Sequence, residues 1–358
     1  MLGAMGLMEE TNEQASATGS GGGPAPNWFK ILVVVAAALA LVGYFAFKPI
    51  DSALVHAYQR GSPDLDGFFG AITLFGDELV NVVLVVLTFY VANKETGARL
   101  AYVVVVANLV DVALKGFFGV PRPFAADPSV IQVPDLLGQT YEDYSFPSGH
   151  AVNAGAFWGF LALETSHPLA LVAFCVMVVL VPLSRNYLGV HWPSDVVVGA
   201  SLGAFVALVA WWSIPKLESF KSRLGNVAEA AVAASWPILA WVGTWALVAA
   251  LGNDPSLADA SSSAGLLVGL YAGLRLERTR VALPVAGRKA PAWVSLYRAV
   301  LGTALALGTY FGLKLAFGDA PFPTSSVLRF VRYAVLSAFA TFVVPLIFKA
   351  IERGRWSP

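Results

Sequence analysis

Residues 147–214 read PSGHAVNAGAFWGFLALETSHPLALVAFCVMVVLVPLSRNYLGVHWPSDVVVGASLGAFVALVAWWSI, which is three apolar runs joined by short polar junctions. Each run is close to the roughly 20 residues with which an α-helix crosses the hydrocarbon core of a bilayer. The whole chain is 57% hydrophobic and only 13% charged, with a mean hydropathy of +0.68. Soluble domains carry about 25% charged residues. The sequence therefore predicts an all-α integral membrane protein.

Similar apolar runs occur along the rest of the chain, and together they predict ten helices. These are residues 28–48, 71–93, 98–119, 149–166, 168–186, 192–214, 227–251, 262–275, 295–317 and 327–350.

Composition also divides the chain. Residues 1–27 contain no Lys or Arg and are rich in Gly, Ser and Ala, which indicates a disordered tail. The polar stretch 215–226 predicts a linker between a membrane core, 28–214, and a C-terminal extension of four helices, 227–358. In this extension small residues recur, and they allow helices to approach closely. We expect the extension to serve packing or homo-oligomerisation, with a second active site as the alternative.

Basic residues are concentrated in alternate loops and at the C-terminus, although the net charge of the chain is zero. The positive-inside rule then places both termini in the cytoplasm. The polar junctions quoted above would lie on the opposite, extracytoplasmic side of what we expect to be a prokaryotic plasma membrane. We expect no nucleic-acid partner.

The third helix ends in the first of three polar motifs. Lys115 and Arg122 are seven residues apart, and two helical turns would put both cations on one face, where they can clamp one anion. Either cation alone also fits a side chain that snorkels to lipid head groups. Asp111 lies one turn before Lys115, and we expect it to pair with Lys115 or with water in the site. The acidic, Pro-rich connection 120–147 indicates a functional loop such as a lid, with a plain solvated loop as the alternative.

The second motif, Pro147-Ser148-Gly149-His150, stands at the start of the fourth helix. Ser148 is expected to cap the helix, and backbone amides at a helix N-terminus bind phosphate oxygens. Gly149 would let an anion approach closely because it has no side chain. His150 would lie in the first turn, directed at the bound group.

The third motif is Ser184-Arg185 followed by His191 and Asp195. A spacing of four residues on a helix places imidazole and carboxylate on one face, so Asp195 can accept the proton of one ring nitrogen and leave a lone pair on the other. Such a pair prepares His191 to act as a nucleophile. No Asp, Glu or His cluster has the spacing of a metal site, and the single cysteine, Cys175, excludes an intrachain disulfide. We expect no metal and no cofactor.

In chain order, Lys-x6-Arg-Pro, Pro-Ser-Gly-His and Ser-Arg-x5-His-x3-Asp resemble the three-part signature of the type 2 phosphatidic acid phosphatase superfamily, over residues 50–214. The resemblance implies a six-helix core and metal-independent hydrolysis of a phosphomonoester or diphosphate through a covalent phosphohistidine. It implies that His191 is the nucleophile, Asp195 its partner and His150 the general acid and base. It further implies a set of phosphate-binding residues, namely Lys115, Arg122, Arg185, Ser148 and Gly149. From its position beside Lys115, we expect Asp111 to support this set.

The substrate class that we expect first is a lipid phosphate: a polyprenyl diphosphate, phosphatidate or phosphatidylglycerol phosphate. Three other functions also fit parts of this pattern. A sugar phosphatase of the glucose-6-phosphatase type and a lipid phosphotransferase remain enzymatic alternatives. A transporter or flippase could bind phosphate without cleaving it, but it would have no use for the oriented pair of His191 and Asp195.

Overall fold

The computed structural model of the chain describes residues 27–59, 63–138, 141, 143–221, 223–251, 255–284, 291–317 and 324–353. Within these ranges all regular secondary structure is helical, which confirms the predicted all-α class. The predicted disordered tail lies outside the described residues except for Asn27, where the first helix begins.

The α-helices are numbered in chain order. They are α1 Asn27–Phe47, α2 Asp51–Gln59, α3 Asp66–Ile72, α4 Glu78–Leu87, α5 Lys94–Phe118, α6 Pro123–Ala126, α7 Gly149–Glu164, α8 Pro168–Tyr187, α9 Pro193–Lys221, α10 Asn226–Leu251, α11 Pro255–Leu276, α12 Ala292–Phe317, α13 Thr324–Ala338 and α14 Val344–Glu352. Short π-helical segments extend α4, α11 and α13 and cover Thr88–Ala92, Glu277–Val281 and Phe339–Val343.

Helices occur at all ten predicted places, but not all of them have the length and composition of a membrane span. Among the described residues seven helical stretches qualify, or eight if the pair Asp66–Gly76 and Glu78–Ala92, bent by 59°, counts as one span. Helices α7 and α11 are outside this set. Helix α7 has only 16 residues, most of them buried, and α11 begins with a polar stretch that contains Asp259 and four serines. Both helices lie against other helices of the bundle, so they need not present an apolar surface to lipid.

The predicted linker at 215–226 differs from the structure. Helix α9 continues through Pro215 to Lys221, and α10 begins at Asn226. The polar residues here are mostly Lys, Glu and Ser; Lys and Glu are good helix formers, so polarity alone does not end the helix. Helix α11 is also longer than predicted, because it starts at Pro255.

The core packs α5, α7, α8 and α9 around one cluster of buried apolar side chains. In a bilayer, helices associate through close packing and small residues at their contacts. Gly155 of α7 and Gly203 of α9 face the backbone of the opposite helix so closely that a Cβ at either would collide with it. This approach brings the first turns of α7 and α9 together, and the Ser148 N–H donates to the Asp195 carbonyl oxygen at 3.2 Å.

Glycines pack the extension in the same way. Gly265, Gly269 and Gly273 of α11 face α13 and its π-helical continuation so closely that a Cβ at each position would collide with it. This confirms that the repeated small residues allow close approach. The extension lies against α4 and α5 of the core, and Asn108 Nδ2 of α5 donates to Ser263 Oγ of α11 at 3.3 Å.

Candidate active site

The two cations of the first motif reach the same place by different routes. Helix α5 ends at Phe118, and Gly119 follows with a left-handed φ of +58°. Arg122 therefore lies beyond the helix in extended backbone, and not two turns along the same helical face as predicted. Glycine is the residue that most readily adopts this conformation after a helix, and it redirects the chain. Lys115 and Arg122 nevertheless contact one common group.

That group is the carboxylate of Asp143. Lys115 Nζ lies 2.5 Å from Oδ2, Arg122 Nη2 lies 2.5 Å from Oδ1, and Arg122 Nε donates to the Asp143 carbonyl oxygen at 3.0 Å. Burial alone would raise the pKa of Asp143, but Lys115 and Arg122 outweigh it and lower the pKa to about 2. An ionised carboxylate thus lies between the two cations that the sequence assigns to phosphate. Sequence reasoning missed Asp143; the only signal was the acidic composition of the loop 120–147.

Asp111 and Gly149 lie on the other side of Lys115. Asp111 Oδ2 is 3.7 Å from Lys115 Nζ, which confirms the predicted ion pair. A Cβ at Gly149 would lie 3.0 Å from Asp111 Oδ2 and 3.5 Å from Lys115 Nζ. A side chain at position 149 would therefore crowd the space beside the Lys115 ammonium group.

Arg185 is fully buried and incompletely paired. Its Nη1 donates to Thr73 Oγ1 at 2.7 Å, whereas Nε and Nη2 are buried without a hydrogen-bond partner among the described residues. Buried donors in this state are costly, because they have lost water without gaining an acceptor. A bound anion would supply the missing acceptors.

The ring of Tyr141 brings three of the predicted residues together. The guanidinium carbons of Arg122 and Arg185 lie 4.6 and 4.7 Å from its centroid, within cation–π range. The ring of His150 meets it edge to face at 6.4 Å. Tyr141 was not predicted, since its role depends on how the loop folds back over the helix ends.

His191 is 1% exposed and has both ring nitrogens engaged. Nδ1 lies 2.8 Å from the Ser145 carbonyl oxygen, which can only accept, so Nδ1 carries the proton. Nε2 then holds a lone pair and lies 3.0 Å from Arg122 Nη1, which donates to it. Burial lowers the pKa of His191 well below its usual value, and Arg122, Arg185 and Lys115 lower it further. The imidazole is therefore neutral, with Nε2 facing the cations.

The predicted hydrogen bond between His191 and Asp195 is absent, although the two side chains lie close together. Their closest atoms, Nδ1 and Oδ2, are 3.6 Å apart, beyond hydrogen-bond distance. Asp195 Oδ2 instead accepts from Ser145 Oγ at 2.5 Å and from the Trp192 N–H at 2.9 Å. The reason is that α9 begins at Pro193, so His191 precedes the helix and does not stack on Asp195 within it. Ser145 contacts both residues and was missed.

The predicted cap by Ser148 is also absent. Its side chain makes no capping hydrogen bond, and Oγ is buried without a partner in the described part of the chain. The N-terminus of the neighbouring helix α9 is instead capped by a side chain that was not predicted. Asp51 of α2 accepts from the N–H and Oγ of Ser194 at 2.9 and 2.6 Å, at the start of α9. This contact fixes the turn that carries His191 and Asp195.

The structure thus brings all the predicted site residues to one end of the helix bundle, which we call the site end. Among the described residues no group of three or more His, Cys, Asp or Glu side chains could hold a metal ion. Three cations, two histidines and several unpaired polar atoms can bind an anion and present a neutral imidazole nitrogen to it.

Comparison with known proteins gives the following matches. A model of the PAP2 superfamily matches residues 96–219, which include every predicted site residue, and a model described as PAP2 superfamily phosphatase, transmembrane extension, matches residues 261–354. An undecaprenyl-diphosphatase of Sulfolobus acidocaldarius is 32% identical over 149 residues, which are 41% of this chain and 69% of that protein.

Two further relatives are a eukaryotic phosphatase and a bacterial phosphatase. A dihydrosphingosine 1-phosphate phosphatase of Saccharomyces cerevisiae is 26% identical over 188 residues, 49% of this chain and 45% of that protein. A lipid A 1-phosphatase of Rhizobium johnstonii is 34% identical over 114 residues, 32% of this chain and 46% of that protein. The chain thus spans about two thirds of the first relative and less than half of the other two.

Proposed function

We propose that this chain, which belongs to the PAP2 superfamily and is a phosphoester hydrolase, hydrolyses the phosphate or diphosphate of a membrane lipid at the site end by removing one phosphoryl group. One observation carries the proposal: Lys115, Arg122 and Arg185 converge where the neutral Nε2 of His191 is presented. Three fixed cations neutralise charge that develops on a transferring phosphoryl group.

In the proposed mechanism His191 is the nucleophile. Its Nε2 lone pair attacks phosphorus, the bond from phosphorus to the leaving oxygen breaks, and His150 donates a proton to that oxygen. The negative charge of the bound phosphate favours the protonated form of His150 at this stage. Water then attacks the phosphohistidine, gives its proton to His150, and the phosphorus–nitrogen bond breaks to regenerate neutral His191.

The remaining site residues would bind the phosphate oxygens. Among the described residues, Arg185 has two guanidinium nitrogens without acceptors, and Ser148 Oγ is also unpaired. The amide of Gly149 lies at the start of α7, where backbone N–H groups bind anions. Asp195 would act through Ser145 and through its charge, 3.6 Å from the His191 ring.

The relatives support a lipid as the substrate, because their names specify a polyprenyl diphosphate, a sphingoid phosphate and lipid A. We propose a polyprenyl diphosphate, phosphatidate or phosphatidylglycerol phosphate for this chain. The test is phosphate release by purified protein from these three lipids and from glucose 6-phosphate. We expect release from at least one lipid; release from glucose 6-phosphate alone, or from none of the four, would contradict the proposal.

We further propose that the site end faces the extracytoplasmic side, with both termini in the cytoplasm, on the basis of the charge asymmetry. In a Cys175→Ser background, Ala126→Cys on the exposed part of α6 should react with a membrane-impermeant maleimide in intact cells. Arg223→Cys, exposed at the opposite end of α9, is the control and should react only after lysis. The reverse labelling pattern would refute this orientation.

Asp143 leads to a prediction about phosphate affinity. Because its carboxylate binds Lys115 and Arg122, phosphate has to displace it. Asp143→Asn removes the competing charge, and the inhibition constant of inorganic phosphate should fall about tenfold, the size of one charge-assisted hydrogen bond. Asp127→Asn is the control, since Asp127 lies in the same loop but contacts His56 Nε2 at 3.1 Å. An unchanged or higher inhibition constant for Asp143→Asn would show that the carboxylate does not compete.

A further inference from the structure

A cavity of about 350 Å³ lies between the core and the C-terminal extension, apart from the cations and histidines of the site. Cavities of this size hold small molecules in many proteins. Helices α4 and α5 form the wall on the core side, and α11, α12 and α13 form the wall on the extension side. The lining is mostly apolar and includes Val82, Phe89, Val104, Leu270, Leu307 and Leu336.

The cavity follows the same face of α5 as Lys115. Gly97, Ala101 and Val104 line it, and Gly97 lies 18 residues before Lys115 in an unbroken helix, which is about five full turns. Asn108 and Asp111 continue this stripe between the cavity and the ammonium group. At a rise of 1.5 Å per residue, the lining residues from Gly97 to Val105 cover about 12 Å of α5.

The loop 120–147 also reaches the cavity. Leu137 lines it and belongs to the same connection as Tyr141 and Asp143, and Glu78 lines it at the start of α4. The cavity thus begins beside the site end and continues towards the end of the bundle at which α5 starts. An apolar cavity in this position suits a hydrocarbon chain whose head group lies at Lys115.

We propose that this cavity binds the hydrocarbon chain of the lipid whose phosphate is bound by Lys115, Arg122 and Arg185. The inference rests on the proposed function and assigns the extension a part in substrate binding. A chain that moves from the bilayer into the cavity exchanges one apolar environment for another, so the gain comes from close packing and not from leaving water. The cavity should therefore select lipids by the shape and length of the chain.

Ala306 provides the test. It lies on α12, lines the cavity and is buried, so Ala306→Phe would place a ring in the space of the chain. Ala304→Phe is the matched control, because Ala304 is two residues away on the same helix and exposed at its surface. The measurement is kcat/KM for the long-chain lipid phosphate that the wild type hydrolyses best and for an analogue with six-carbon chains.

We expect Ala306→Phe to lower kcat/KM about tenfold or more for the long-chain lipid. The same variant should keep kcat/KM within about twofold of the wild-type value for the short-chain analogue. Ala304→Phe should leave kcat/KM unchanged for both substrates. Activity on the short-chain analogue also reports that the variant is folded. If Ala306→Phe also loses activity on the short-chain analogue, kcat/KM is measured for the milder variant Leu336→Phe with the same two substrates. Leu336 also lines the cavity, so the same loss for the long-chain lipid alone is expected.

For each protein, kcat/KM for the long-chain lipid is divided by kcat/KM for the short-chain analogue. If this ratio is the same in the wild type and in the cavity variant, the cavity does not bind the hydrocarbon chain. That result is distinct from failure of the proposed function, in which the wild type itself releases phosphate from neither lipid.

Discussion

His191→Ala lowers the rate of phosphate release on the order of 10⁵-fold, as expected for removal of a catalytic nucleophile. The hydrogen bond from Nδ1 to the Ser145 carbonyl oxygen leaves the lone pair on Nε2, which lies 3.0 Å from Arg122 Nη1. Alanine removes both the nucleophile and one of the groups that accept a hydrogen bond from Arg122. The measurement is single-turnover release of phosphate from the best lipid substrate.

The control for this substitution is His167→Ala. His167 is exposed at the junction of α7 and α8, away from the predicted site residues, so its loss should leave the rate unchanged. Thermal unfolding of both variants should resemble that of the wild type. Hydrolysis by His191→Ala above about 1% of the wild-type rate would rule out His191 as an essential nucleophile.

Asp195→Asn should lower kcat/KM by about 10³- to 10⁴-fold, comparable to loss of the carboxylate that orients a catalytic histidine in other hydrolases. Asp195 accepts two hydrogen bonds through Oδ2, and its charge lies 3.6 Å from the imidazole that becomes positive as the phosphohistidine forms. Asparagine keeps the shape but loses the charge. The KM for the lipid should change less than kcat, because the residue acts on the reacting state.

Ser145→Ala separates the charge of Asp195 from its hydrogen bond. This variant loses the bond from Oγ to Asp195 but keeps the backbone carbonyl that accepts from His191 Nδ1. We expect a loss of about tenfold, the usual size of one hydrogen bond. Equal losses in Asp195→Asn and Ser145→Ala would mean that Asp195 only holds Ser145 in place and that its charge is not used.

Local spacing predicted much of the fold and of the candidate site. Apolar runs gave all ten helix positions, and polar residues at consecutive helix ends met at one end of the bundle because neighbouring helices run antiparallel. Two errors had local signals. Gly119 is the type of residue that ends a helix before Arg122, and Pro193 favours the first turn of a helix, which leaves His191 outside it.

Other contacts of the site could not be predicted from the spacing of residues along the sequence. Asp143, Tyr141 and Ser145 belong to a connection whose path over the helix ends depends on the assembled bundle. Asp51 caps α9 from a helix more than 140 residues earlier in the chain. The cavity beside α5 likewise depends on how the extension packs against the core, which the glycine pattern of α11 alone does not specify.

The proposed mechanism requires a covalent phosphoryl group at His191, and the direct test is to trap it. Protein mixed with a lipid substrate whose cleaved phosphate is radiolabelled would be quenched within one turnover in alkaline denaturant, digested and mapped. We expect an acid-labile, alkali-stable label on Nε2 of His191, present in the wild type and absent from His191→Ala. Release of labelled phosphate without any label on His191, or with the label on another residue, would contradict the account.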